Sequence, residues 1–584
     1  MFDLMDKELA KIFFGIADLL EASGVTFKPF AYRRAALALQ DMEKDASQIY
    51  KEGGIKALQN IPGVGVSIAK KIEEYLKTGR IAYYERLKKK LPVALDDLIA
   101  VEGLGPKRAK ILYEKLGIAS LKDLEIAAKK HKIAQLVGFG PKSEANILEG
   151  IEFQKHDRGR FLLGQILPVA REIKTKLEAL PEVAHVDIAG SLARRKETIG
   201  DVDLLAIIAP KAGRDANSRV MNFFTRLESV KKVWSKGQTK ASLRMVEGFD
   251  MDLRLLPAAS YGAALQYFTG SKEHNVALRQ IAKNKGFKLS EYGLFYGRKI
   301  VAAQSEKEIY EKLGLQWIPP ELREDVGEIE AAANNKLPRL IGYDGLKGDL
   351  HCHSNWDGGK NSITQIAEAA MAMDYEYVGI ADHTKMLKIE NGLDEAKLAR
   401  RDKEIDKLNN LFKRENRNFV VLKGCEANIL KDGSIDINDK SLAELDFVIA
   451  GIHSNFKMTK DKMTQRIIRA MENPNVDIIS HPTGRLIKKR PEYQVDFEII
   501  CEAAHRTGTI LEINSYPDRL DLNDIHIRRA KDFGVKMIIN TDSHIIGQMR
   551  FVEFGIAQAR RGWAEKHDII NTYSAKELLS FLKK

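Results

Sequence analysis

Between residues 347 and 544 the chain repeats one pattern seven times: a short apolar run that ends in a polar, ligand-type residue. The runs are "KGDLHCH", "YVGIADH", "FVVLKGCE", "FVIAGIH", "VDIISHP", "GTILEIN" and "VKMIINTDSH", with helical segments between them. Continuous apolar strands alternating with helices predict a parallel sheet buried on both faces. Because the chemically useful residues fall at the strands' C-terminal ends, the economical fold is a closed β/α barrel with its site at that rim. Nine of the thirteen histidines lie after residue 340, and six of them (His351, His353, His383, His453, His481 and His544) fall at these ends beside Glu426 and Asp542. Imidazoles mixed with carboxylates, and no cysteine required, suit Mn²⁺, Zn²⁺ or Fe²⁺ at a catalytic site. His351 and His353 share one strand face, while Cys352 points to the other for packing. His505, His526 and His567 lie in helices or loops and are read as structural.

At 584 residues the chain exceeds a single core, so several domains are expected. A content of 44% hydrophobic and 30% charged residues describes a globular protein. No apolar run approaches the roughly 18–20 residues of a membrane span. The N-terminal "MFDLMDKELAKIFFGIADLLEASG" lacks the basic start and cleavage site of a signal peptide. Three cysteines (Cys352, Cys425, Cys501) are too few for a disulfide scaffold and point to a reducing cytoplasm. A net charge of +12 favours a polyanionic partner.

Three similar segments recur at spacings of roughly 35–40 residues: "IPGVGVSIAKKI", "VEGLGPKRAKIL" and "LVGFGPKSEANIL". Each pairs glycines (Gly63 and Gly65, Gly103 and Gly105, Gly138 and Gly140) ahead of a helix. The glycines permit a tight turn, and the free N–H groups of the next helix face outward, where a phosphate can accept from them. Lys70, Lys71, Lys107, Arg108 and Lys142 add charge that holds a nucleic-acid backbone without reading sequence. The segments resemble helix-hairpin-helix motifs.

In "GSLARRKETIGDVDLLAII" the run "DVDLLAII" reads as a strand, so Asp201 and Asp203 point the same way. Neighbouring carboxylates repel unless a cation lies between them. Asp252 in "GFDMDLRLLP", with Asp250 two residues before it, supplies another strand carboxylate. Three converging carboxylates suit a pair of Mg²⁺ ions. Gly190, Ser191 and the arginines after them offer donors for a triphosphate.

"GSLARRKETIGDVD", "DMDLRLLP" and "YFTGSKEHNVALR" together closely resemble the palm and thumb of family X DNA polymerases, the nucleotidyltransferase group that includes polymerase beta. The resemblance spans about residues 1–335. It implies Asp201, Asp203 and Asp252 as metal ligands, with Asp252 accepting the primer 3′-hydroxyl proton. It implies Ser191, Arg194 and Gly200 at the triphosphate, Tyr267, Phe268 and Gly270 at the nucleotide sugar, and Asn275 and Arg279 at the minor-groove side of the nascent pair. Ala193 replaces the first of two adjacent arginines common in the family. Lys272 stands where polymerase beta has an acidic residue over the base, which predicts firm nucleotide binding. In the N-terminal segment Lys71 matches a lysine that removes a 5′-deoxyribose phosphate through a Schiff base. Lys28 and Tyr32 match 5′-phosphate neighbours, and Ser67 replaces a supporting lysine.

The second half resembles the polymerase and histidinol phosphatase (PHP) domain, a distorted barrel that binds up to three metal ions and hydrolyses phosphoesters. The resemblance implies His351, His353, Asp357, His383, Glu426, His453, His481, Asp542 and His544 as ligands. In "WDGG" the aspartate falls one residue earlier than in family members, and the two glycines make the loop pliable. Arg485, in "HPTGR", is expected to orient the phosphate, and Asp382 to support the ligand His383 beside it.

The expected architecture is therefore multidomain. It comprises a small helical gap- and 5′-phosphate-binding domain (1–85), a second helix-hairpin-helix domain (86–155), an α+β nucleotidyltransferase palm (156–257), a thumb (258–320), a linker (321–340) and a distorted (β/α)7 PHP barrel (341–584). The expected function is gap-filling DNA synthesis in base excision repair with dNTPs on 5′-phosphorylated gapped DNA. Mg²⁺ or Mn²⁺ would serve the palm, and Mn²⁺ or Zn²⁺ the barrel. The barrel would act as a 3′→5′ exonuclease, 3′-phosphatase or abasic-site endonuclease. The chain is expected to be a cytoplasmic monomer, nucleoid-associated on DNA. Two other readings share this layout: an end-processing nuclease with an inactive palm, and a non-catalytic gap-binding protein.

Overall fold

The structure, a computed structural model, describes residues 4–40, 45–61, 63–91, 95–99, 101, 104–156 and 159–582. The chain divides into two compact units, Met1–Arg158 with Lys488–Arg490, and Gly159–Ile487 with Pro491–Lys584.

The first unit is helical. Helix Leu4–Ala22 buries Leu9, Phe13, Ile16 and Leu20, spaced three or four apart on one face. They join Tyr32, Ala35 and Leu39 of helix Lys28–Gln40 in one core. A second core around Leu98, Leu112, Leu124, Ile133 and Ile151 serves the helices between Leu95 and His156. The described glycines of the three segments stand at the expected helix starts. Gly63 has φ +82°, and a Cβ there would lie 2.8 Å from Arg34 Cγ and 3.0 Å from the Ala35 nitrogen, so the turn needs glycine. Gly65 and Gly105 cap the helices Val66–Thr78 and Pro106–Leu116, and Gly138 and Gly140 precede helix Pro141–His156. Gly103 lies outside the described residues.

The second unit opens with a five-stranded sheet in the order Val183–Ile188, Asp201–Ile208, Asp250–Leu256, Lys240–Met245, Val230–Lys236. Only the central pair, Asp201–Ile208 with Asp250–Leu256, is parallel. Helices Leu163–Glu178 and Ala216–Phe224 bury Ile166, Leu167, Ile173, Val220 and Phe224 against it. Helices Tyr261–Thr269 and Lys272–Asn284 and a small three-stranded sheet follow.

Residues 321–340 differ from the expected linker. Helix Glu328–Ala333 packs Ile329 and Ala332 into the core formed by Leu278, Leu294 and Ile309. Fully buried Arg323 makes a bidentate pair with Glu306 at 2.6 and 2.9 Å. Buried Glu328 takes His274 Nδ1 at 2.6 Å. The charged side chains of Arg323 and Glu328 are thus matched to buried partners.

From Gly348 onward short parallel strands alternate with helices in two sheets, Gly348–Cys352, Tyr377–Ile380, Val420–Lys423 and then Glu426 through Asn540. Strands Val420–Lys423 and Glu426–Asn428 occupy one position, broken where the Phe447 ring packs so closely that a Cβ on Gly424 would lie 2.1 Å from it. Bridges His383–Glu426 and Cys352–Ser543 join the two sheets into a distorted seven-position barrel. Ile487, Leu520 and Phe554 of the barrel enter the core of the five-stranded sheet. Among the described residues no helix is long and apolar enough to cross a membrane.

Candidate active sites

The barrel strands deliver their ligand-type residues to one rim, with Glu426 at the centre. Its Oε2 lies 3.4 Å from His351 Nε2 and 2.8 Å from His383 Nδ1. Its Oε1 lies 3.3 Å from His453 Nε2 and 3.0 Å from His481 Nε2. Asp542 Oδ1 stands 3.3 Å from His353 Nε2, and His544 stacks on His353 at 4.1 Å between ring centroids. Three sets (His353, His383 and His544; His351, His353 and Glu426; His383, Glu426 and His453) each bring donor atoms within 4.8 Å of one another. His351 Nε2, His353 Nε2, His383 Nδ1 and Glu426 Oε2 are buried yet make no hydrogen bond of good geometry. Buried polar atoms are ordinarily satisfied. Convergent orphaned imidazole and carboxylate donors therefore fit divalent cations such as Zn²⁺ or Mn²⁺.

The electrostatics agree. Burial alone would raise the Glu426 carboxyl, but His453, His351 and His383 hold it well below the usual range. Burial would lower His353, but Asp357 and Asp542 lift it to about 10. His544 is pushed down to about 4 by burial and by His353.

The far nitrogens of three histidines are held from behind. His351 Nδ1 lies 2.7 Å from Glu512 Oε1, and His453 Nδ1 lies 2.9 Å from Asn428 Oδ1. His353 Nδ1 lies 2.7 Å from Asp357 Oδ2. Such partners fix the ring and its tautomer. Asp357, expected as a direct ligand, lies behind His353, and His353, Asp357 and Asp382 form a further set with donor atoms within 4.8 Å of one another. The same Oδ2 accepts from the His383 backbone N–H at 2.8 Å, and Oδ1 accepts from Gly359 N–H at 2.9 Å. Asp382 accepts from Ser354 N–H and Oγ and pairs with Arg401 at 3.3 Å, bracing the same loop.

Arg485 does not reach the cluster. Its Nη2 lies 2.6 Å from Glu197 Oε2 and donates to the Leu520 carbonyl, which turns the guanidinium towards the five-stranded sheet. Arg519 stands at the cluster instead, with Nε 3.6 Å from Asp542 Oδ2. Nothing in the sequence alone marks Asn428 or Arg519 as part of the site, and little marks Glu512. Glu512 was visible as the lone acidic residue of "GTILEIN", but its partners come from other strands.

The second constellation lies on the central parallel strands, whose register sets Asp201 beside Asp250 and Asp203 beside Asp252. Burial, then Asp201 and Asp252, push Asp203 up to about 6. Asp250 is taken up by Arg244 at 2.6 Å and Trp234 Nε1 at 2.8 Å. Asp252 Oδ2 meets Lys240 Nζ at 2.9 Å, and among the described residues the carboxylate oxygens here form no cluster within 4.8 Å. An acidic trio whose half-buried member, Asp203, is strained by its neighbours' charge fits divalent cations. Gly190, at φ +66°, passes so close that a Cβ would lie 2.9 Å from Asp203 Oδ2. Ser191 and Arg194 follow in the turn Gly190–Ala193 and its cap, and Gly200 ends the loop.

Arg194 Nε lies 3.1 Å from Glu324 Oε1, and its Nη1 donates to the Thr269 carbonyl. Nearby, the Tyr267 and Phe268 rings meet edge-on at 5.1 Å, and Gly270 closes their helix. Asn275 donates to the Tyr267 carbonyl at 2.7 Å, Arg279 Nε to the Asn275 carbonyl at 3.1 Å, and Lys272 is exposed in the next helix's first turn.

In the first unit Lys71 Nζ donates to Ser67 Oγ at 3.0 Å and sits 5.0 and 5.8 Å from the ring centres of Tyr83 and Tyr32. Burial lowers its pKa, opposed by Glu74 and aided by Lys28 and Arg86.

Family models match four regions: a helix-hairpin-helix domain at residues 6–81, a SAM-like helix-hairpin-helix tandem at 95–152, a DNA polymerase beta thumb at 264–324 and a PHP domain at 349–516. The "DNA polymerase/3′-5′ exonuclease PolX" of Bacillus subtilis (strain 168) is 38% identical over 583 residues, 99% of either chain. DNA polymerase lambda of Rattus norvegicus is 26% identical over 338 residues, 53% of this chain and 54% of its own. A "Probable phosphatase" of Shewanella sediminis is 34% identical over 173 residues, 28% of this chain and 68% of its own. A polymerase beta-like core fused to a PHP barrel defines the class. The chain belongs to the family X DNA polymerases that carry a C-terminal PHP domain.

Proposed function

We propose that this family X polymerase fills short gaps in base excision repair and that its PHP barrel removes nucleotides from DNA 3′ ends, also serving as a 3′-phosphatase or abasic-site endonuclease. The observation that carries the reading is the pair of separate constellations in one chain: carboxylates on paired parallel strands, and a barrel rim of orphaned imidazoles around Glu426.

Asp201, Asp203 and Asp252 would hold Mg²⁺ or Mn²⁺, and the residues around Glu426 would hold Mn²⁺ or Zn²⁺. Such cations supply charge stabilisation for phosphoryl transfer at neutral pH. In the palm, Ser191 and Arg194 bind the triphosphate with the backbone at Gly200, and Asp252 accepts the primer 3′-hydroxyl proton. Tyr267, Phe268 and Gly270 line the sugar, Asn275 and Arg279 test the nascent pair, and Lys272 holds the incoming nucleotide. In the barrel, Arg519 replaces Arg485 as the guanidinium that orients a phosphate. Gly63, Gly65, Gly103, Gly105, Lys107, Gly138 and Gly140 place the hairpins on the DNA backbone. Lys28 and Tyr32 flank the 5′-phosphate, and Lys71, with its lowered pKa, serves as a lyase nucleophile. The protein acts as a cytoplasmic monomer.

The test is steady-state synthesis on one-nucleotide gaps bearing a 5′-phosphate or a 5′-hydroxyl, with the released products identified. A preference for the phosphorylated gap, and mononucleotides leaving the 3′ end with Mn²⁺, support the reading. Equal rates on both gaps would sink the gap-filling role.

A further inference from the structure

The palm loop that begins at Arg194 is gripped by side chains of the barrel. Arg561 Nη1 donates to the Arg194 carbonyl at 2.9 Å, and Gln558 Nε2 to the Arg195 carbonyl at 3.4 Å. Arg485, four residues after His481, holds Glu197 at 2.6 Å. Glu324, at the thumb's end, receives three cations: Arg561 Nη1 at 3.0 Å, Arg194 Nε at 3.1 Å and Lys196 Nζ at 3.6 Å. Arg561 is itself buried and anchored by Asp524.

We propose that Arg561 of the barrel is a positioning residue for DNA synthesis: it shares the charge of Glu324 and so leaves Arg194 able to bind the nucleotide triphosphate. The inference rests on reading Arg194 as a triphosphate ligand. With Nε on Glu324 and Nη1 on the Thr269 carbonyl, Arg194 keeps Nη2 without a hydrogen bond among the described residues. A triphosphate reaching that nitrogen approaches a carboxylate that already lies against the same guanidinium. Like charges repel strongly where water is partly excluded. Arg561 offsets that repulsion with a second guanidinium that has no access to the nucleotide and stays on Glu324. Without it the carboxylate draws Arg194 to itself and presents its charge to the incoming anion. The barrel is in this view a part of the nucleotide site as well as a second catalytic domain.

The test uses the full chain on a one-nucleotide gap, reading dNTP KM and kcat separately. Arg194→Ala and Arg561→Ala should each raise KM by about tenfold, between the effects of an exposed and a buried ion pair, with kcat within about twofold. Glu324→Gln should hold or lower KM, because the repelling charge is gone. The double variant Arg561→Ala with Glu324→Gln should return to the Glu324→Gln value, a rescue that a purely structural role would not give. Degradation of 3′ ends by Arg561→Ala should stay at the unmodified rate. If Arg194→Ala leaves KM unchanged, the triphosphate reading fails and the proposal with it. If Arg194→Ala raises KM but Arg561→Ala does not, or the double variant stays impaired, the proposal alone is overturned. Should Arg561→Ala not fold, Glu324→Gln decides by itself, and a raised KM overturns the proposal.

Discussion

Replacing Glu512 by glutamine should weaken cation binding at the barrel while leaving the palm untouched. Each carboxylate oxygen of Glu512 takes two donors. Oε1 accepts from His351 Nδ1 at 2.7 Å and Asn540 Nδ2 at 3.0 Å. Oε2 accepts from the His481 N–H at 2.9 Å and Asn514 Nδ2 at 3.2 Å. An amide of the same shape keeps one oxygen and must turn its NH₂ towards the other two donors. Two hydrogen bonds are lost in a fully buried place, at about 1–3 kcal/mol each, so stability should fall by about 2–6 kcal/mol. In either orientation His351 also exchanges its carboxylate partner for a neutral amide, and partners of this kind are worth about 10–100-fold in metal affinity. That range is about 1.4–2.8 kcal/mol of binding free energy. Calorimetric titration with Mn²⁺, paired with thermal melts with and without the ion, reads both effects. Gap filling with Mg²⁺ should continue at the unmodified rate. Mn²⁺ affinity within about twofold of the unmodified protein would refute the idea that Glu512 holds a ligand.

Two further outcomes follow from the helical unit and the thumb. Arg86 is one of the cations that lower the Lys71 pKa, so Arg86→Met should raise it. Borohydride trapping of 5′-deoxyribose phosphate DNA should then need a higher pH for half-maximal yield, and Lys71→Ala should abolish trapping; an unmoved pH midpoint counts against the assignment. Arg323→Ala leaves the Glu306 carboxylate with Trp317 Nε1 at 3.0 Å as its side-chain partner among the described residues and should destabilise the thumb by about 3–5 kcal/mol. Arg323→Met with Glu306→Gln should recover most of that loss in urea unfolding, and no recovery would argue that the buried pair is not the cause.

Much of the barrel could be read from sequence because parallel strands buried on both faces appear as unbroken apolar runs. Their C-terminal ends must face one rim, so His351, His353, His383, His453 and His481 could be placed together before any contact was known. The palm strands were legible for a related reason: alternation alone sets Asp201 and Asp203 on one face. Side-chain direction within loops was not legible. Arg485 follows His481 closely, yet the Leu520 carbonyl and Glu197 turn it away, and both are distant in sequence. Asp357 lies one residue early, and only the positions of the His383 and Gly359 backbone N–H groups fix it behind His353. The acidic residues and the proline of 321–340 read as a linker because burial of Glu328 depends on His274, fifty-four residues earlier.

The central claim, two catalytic centres that work independently in one chain, is tested most directly by following one labelled primer on a 5′-phosphorylated one-nucleotide gap. Extension with Mg²⁺ and degradation with Mn²⁺ are recorded for the unmodified protein, Asp203→Ala and His351→Ala. Asp203→Ala should lose extension and keep degradation, and His351→Ala should do the reverse. Loss of both activities from either single substitution would contradict the claim.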